Sequence, residues 1–101
     1  MTQPHRRRDK RVETPLLVFL ENARGVTRDT SPSGAYFWTS GEYTPGQPIS
    51  FAIELSTAGG KMIWKCKGAV VRTEPRDYMV GVAATITEST IEPAKKGALQ
   101  L

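Results

Sequence analysis

From Ile49 to Ile86 the apolar residues tend to fall at every second position, and a period of two restricts this part of the chain to β-structure. Ile49, Phe51, Ile53 and Leu55 share one face, with Ser50, Ala52 and Glu54 on the other. After an Ala58-Gly59-Gly60 turn, Met62, Trp64 and Cys66 share a face while Lys65 and Lys67 point away. Tyr78, Val80, Val82, Ala84 and Ile86 form a last alternating face. Upstream, Leu16–Leu20, Gly25–Asp29 and Ala35–Thr39 read as three further strands, the third strongly aromatic. Turn signals separate the runs: Asp29–Gly34, Ser40-Gly41, Pro45-Gly46 as a type II pair, and Glu74–Asp77. Gly68 is placed to allow a bend or bulge before Ala69-Val70-Val71. Short strands at this spacing predict an all-β, six- or seven-stranded antiparallel barrel, whose closure protects the strand edges. Only Glu88–Leu101 could be helical. Pro93 and Ala94 suit a helix start but Gly97 interrupts it, so a short helix or tail is expected.

A chain of 101 residues forms one domain with a modest core, and 39% hydrophobic with 24% charged residues fits a folded, soluble protein. No apolar run approaches the roughly 20 residues of a membrane span, and no apolar stretch follows the N-terminal basic cluster as in a secretory signal. The single cysteine, Cys66, cannot form an internal disulfide, and a cytoplasmic setting fits. The expected organisation is a flexible basic arm over residues 1–12, the barrel over 13–88 and the helix or tail over 89–101. Charge singles out the arm. Arg6, Arg7, Arg8, Lys10 and Arg11 stand against Asp9, whereas the remaining residues balance, so the whole excess of +4 is N-terminal. Such asymmetry marks a local anion-binding element; the plainer reading is a solvated tail.

Two polar signatures carry chemistry. The arm contains Arg7-x-x-x-Arg11, and Asp29-Thr30-Ser31-Pro32-Ser33-Gly34 has the form D-x-S-x-x-G. A guanidinium offers a planar fork of donors that matches phosphate oxygens or the O6/N7 edge of guanine. An aspartate carboxylate can accept from guanine N1–H and N2–H₂ together. A serine two residues on lies on the same side of an extended segment, and a glycine permits close backbone approach and positive φ. Asp29, Ser31 and Gly34 could equally be a local turn whose side chains bond only to backbone. Together, however, an arginine clamp for phosphate and a carboxylate–hydroxyl clamp for guanine describe one compact ligand bearing both groups.

These residues resemble the PilZ domain family over positions 6–88. Pro15-Leu16 opens the first strand, Gly68-Ala69-Val70-Val71-Arg72 and Tyr78-x-Val80-Gly81-Val82 look like its closing strands, and the two signatures fall in the family's order. The resemblance implies a PilZ-like split barrel that binds cyclic-di-GMP. It assigns Arg7 and Arg11 to phosphates and guanine faces, Asp29, Ser31 and Gly34 to reading a guanine, and Arg6 and Arg8 as auxiliaries. It further implies a receptor with an effector protein as partner, and neither catalysis nor a resident cofactor.

Two other readings stay open. A basic-armed barrel could bind single-stranded nucleic acid through Tyr36, Trp38 or Trp64, although the barrel itself is charge-neutral and shows no stripe of alternating aromatic and basic residues. A ligand-independent adaptor would work by protein contacts alone. An enzyme is disfavoured. His5, the sole histidine, has no evident Ser or Cys partner, and no His/Cys spacing suggests a metal. Cys66 alternates inward, as expected of a buried apolar residue, and Trp38 and Trp64 read as core or rim.

Overall fold

The computed structural model describes residues 11–94. Seven antiparallel strands follow one another: β1 (Leu17–Phe19), β2 (Arg24–Ser31), β3 (Gly34–Thr39), β4 (Pro48–Thr57), β5 (Gly60–Pro75), β6 (Val80–Thr85) and β7 (Glu88–Pro93). Their order is β4-β1-β2-β3-β6-β5-β7, and pairing of β4 with β5 closes the first six into a barrel. β7 is the extra strand. The sixteen-residue β5 makes this possible, because its first half pairs with β4 and β7 and its second half with β6.

Alternation places the core. Val18, Phe37, Ile53 and Val82 are fully buried, and Phe51, Cys66, Val70 and Ala84 pack with them. Phe37 and Phe51 meet at 5.2 Å between ring centroids, which joins the β3 wall to the β4 wall. A buried threonine closes one end, where Thr27 Oγ1 accepts the Leu16 amide at 2.9 Å. The Pro45-Gly46 pair behaves as expected: the Gln47 amide donates to the Thr44 carbonyl at 3.0 Å and Gly46 has a φ of 92°, the positive value a type II turn demands.

Several local expectations are corrected. Tyr78 is 95% exposed in the β5–β6 connection and not on an inward face, because β6 begins only at Val80. Asp29, Thr30 and Ser31 belong to β2, and the turn itself is only Pro32-Ser33. Gly68 lies in regular pairing with Ile49, and the irregularity in β5 falls between Val70 and Arg72. The segment read as helix or tail begins as a strand, with Glu88–Pro93 pairing to Lys67–Met62 of β5. Its alternation was masked because every residue of β7 is exposed. The remainder of that segment, residues 95–101, lies outside the described residues.

Burial pushes the Cys66 thiol up to about 12. The folded state therefore favours the neutral thiol. Its contribution to stability is complete below the unfolded pKa of about 8.5 and is lost as pH rises toward about 12. At pH 8 iodoacetamide is expected to label Cys66 roughly a thousandfold more slowly in the native protein than in urea. Equal labelling rates would show that the β4–β5 wall is open.

Candidate functional site

The outer face of the β2-β3-β6-β5 sheet is built around two β-bulges in one row. Thr30, Ala35, Ala84 and Val70 form one inward row, and Thr27, Phe37, Val82 and Thr73 form the next. Between these rows β3 contributes Tyr36 and β6 contributes Ala83, one residue each. β2 contributes both Arg28 and Asp29, and β5 contributes both Val71 and Arg72, because the register shifts in each. A bulge re-aims side chains without disturbing the pairing on either side. Here the result is that Asp29 lies opposite Tyr36 and Arg72 opposite Ala83, all on the outer face.

Tyr36 is the centre of this face and is only 3% exposed despite pointing away from the core. The Arg28 guanidinium carbon lies 3.9 Å from its ring centroid and that of Arg72 lies 5.7 Å away. Its hydroxyl donates to the Glu74 carboxylate, and Arg72 Nε donates to the same carboxylate at 3.3 Å. Gly81 makes this possible: a Cβ there would come within 2.1 Å of the Tyr36 hydroxyl. Trp38 extends the array, edge-on to Tyr36 at 5.4 Å and covered by Arg76 at 4.9 Å. Burial foremost, and then the bond to Glu74, raise the Tyr36 pKa above its ordinary value, while the Tyr36 and Arg72 bonds lower that of Glu74.

Asp29 adjoins Tyr36 and is 7% exposed. Its Oδ2 accepts from Arg28 Nε at 2.9 Å, and its Oδ1 pairs with Arg11 Nη1 at 2.5 Å. The Asp29 bond is also the main reason the Arg28 pKa is raised. Arg11 reaches this position because Val12 and Thr30 exchange backbone hydrogen bonds of 2.7 and 2.9 Å, which fixes the end of the basic segment to β2. Arg11 of the first motif is thus in contact with Asp29 of the second. Arg6, Arg7 and Arg8 lie outside the described residues.

Ser31 alternates with Asp29 along β2 and its hydroxyl donates to the Gly34 carbonyl at 3.4 Å. Gly34 does not take the positive φ expected of it; a Cβ there would approach the Ala84 carbonyl to 3.1 Å, so tight sheet packing is what favours glycine. Beside Ser31 opens a groove of about 510 Å³, floored by Leu16, Leu55 and Trp64 and flanked by Val12 and Ile91. Sequence reading missed Arg28, Tyr36 and Arg72 as members of the face. A signal was present: two polar residues, Arg28-Asp29, sit between threonines that strict alternation cannot place on the same side.

The model of the PilZ domain family matches residues 5–94, and the chain belongs to that family, one of receptor and adaptor domains. A solved structure with the same fold, the Bacillus subtilis inhibitor of motility MotI/DgrA, has a TM-score of 0.72 and 17% sequence identity, covering 89% of this chain and 46% of that one. The chain therefore spans about half the length of that protein, and at this identity the likeness concerns the fold. Among curated proteins, none matches the chain. Among the described residues, no helix is long and apolar enough to cross a membrane.

Arg11 and Arg28 are 61% and 49% exposed at the side chain, so each pair with Asp29 adds only about 0.2–1 kcal/mol. Asp29→Asn is accordingly expected to lower unfolding free energy by less than about 2 kcal/mol in urea titrations. A larger loss would mean that the carboxylate is a structural keystone.

Proposed function

We propose that this protein is a cytoplasmic cyclic-di-GMP receptor that presents an altered surface to an effector protein when the dinucleotide binds. One observation carries the reading: Arg11 of the arginine motif and Asp29 of the second motif, eighteen residues apart in sequence, are in contact. Arg7 and Arg11 hold phosphate and guanine faces of the ligand, with Arg6 and Arg8 as auxiliaries. Asp29 accepts from the guanine N1–H and N2–H₂, Ser31 adds a hydrogen bond, and Gly34 keeps the backbone close. Asp29 pairs with Arg11 and Arg28, and guanine binding exchanges the first of these ion pairs for hydrogen bonds to the base. Arg11 then moves from the carboxylate to the ligand, and this displacement is the change a partner reads.

Single-stranded nucleic acid binding is the weaker reading. The Tyr36 ring that would stack on a base is already covered by Arg28.

Isothermal titration with cyclic-di-GMP tests the assignment. A charge-assisted hydrogen bond contributes about 1.5–3 kcal/mol, and about 1.4 kcal/mol is tenfold in affinity. Arg11→Ala and Asp29→Ala are each expected to weaken binding roughly tenfold to a hundredfold or more. Unchanged affinity in both variants would remove the site; binding competed equally by oligonucleotides would favour the nucleic-acid reading.

A further inference from the structure

Arg72 belongs to neither motif, yet it is delivered to the ligand-facing surface by a bulge of its own. We propose that Arg28 and Arg72 form a second anion clamp, across Tyr36, for the phosphodiester of the dinucleotide that the N-terminal arginines do not hold. This rests on the cyclic-di-GMP reading above and adds a subsite to it.

Both guanidinium carbons lie within 6 Å of the same ring centroid, at 3.9 and 5.7 Å, so they are at most about 10 Å apart. Each is held from behind in the same manner, with Nε donating to a neighbouring carboxylate, Asp29 for Arg28 and Glu74 for Arg72. Among the described residues, the terminal amino groups of both make no hydrogen bond. The Nη groups are thus the donors left for a ligand, and a guanidinium matches a phosphoryl group in bidentate fashion. Between the two arginines β6 contributes only Ala83 in this row, and the space above Gly81 in the next is filled by the Tyr36 and Trp38 rings. Tyr36, locked by Glu74, holds the spacing. A surface arginine needs none of this apparatus, and among the described residues the two bulges of this row are what supply it.

The test uses cyclic-di-GMP titrated into the wild-type protein, Arg72→Ala, Arg72→Lys and Glu74→Gln, with ³¹P NMR of the bound ligand and a melting curve for each variant. Arg72→Ala is expected to weaken binding about tenfold or more and to shift one phosphorus resonance, whereas Arg11→Ala shifts the other. Arg72→Lys restores only part of the affinity, since it keeps the charge and loses the fork. Glu74→Gln, whose amide oxygen can still accept from Tyr36 or Arg72, is expected to weaken binding less than Arg72→Ala; a loss as large as that of Arg72→Ala points to a merely structural pair and overturns the clamp. Wild-type affinity in Arg72→Ala, or full rescue by lysine with both phosphorus resonances unmoved, overturns the clamp and leaves the receptor reading intact. No binding by the wild-type protein overturns the receptor reading itself.

Discussion

The outer face of this barrel depends on the register of four strands. In a regular antiparallel sheet every inward row is followed by one outward row with one residue per strand. Here the inward rows through Phe37 and Ala35 are intact, and their burial fixes the register on both sides. The surplus residues in β2 and β5 must therefore project outward between them. Had either bulge been absent, alternation beyond it would reverse, turning Thr30 or Val70 out of the core. The hydrophobic interior thus enforces the polar exterior: the energy that keeps Asp29 and Arg72 beside Tyr36 is that of burying Phe37, Val82 and Val70.

The interactions on the face itself are individually modest. Exposed ion pairs and cation–π contacts contribute about 1 kcal/mol or less each. Their role is to orient. Tyr36 lies flat because Gly81 leaves room and Glu74 takes its hydroxyl. Arg28 is fixed by a ring on one side and a carboxylate at its edge. Among the described residues, Arg11 is fixed at its tip by Asp29 and through the Val12–Thr30 bridge.

Much of the architecture was legible from alternation: β1, β3, β4 and β6 lie close to where apolar periodicity and turn residues put them. The contact of Arg11 with Asp29 was legible only as chemistry, since a guanidinium and a carboxylate stood in the two motifs. β7 was not legible, because Glu88–Pro93 is exposed throughout and carries no apolar face to betray its period. Tyr78 misled for the opposite reason, continuing an alternation that the strand itself does not reach.

What the sequence determined by itself is the period of two, the Pro45-Gly46 turn, and the charge and residue types of the two motifs, because each is a property of a single segment. The tertiary structure alone decided that Arg28, Tyr36 and Arg72 share a face with Asp29. A bulge is defined by two strands together: a chain read one segment at a time shows how many residues it has, but not how many its partner sets against them.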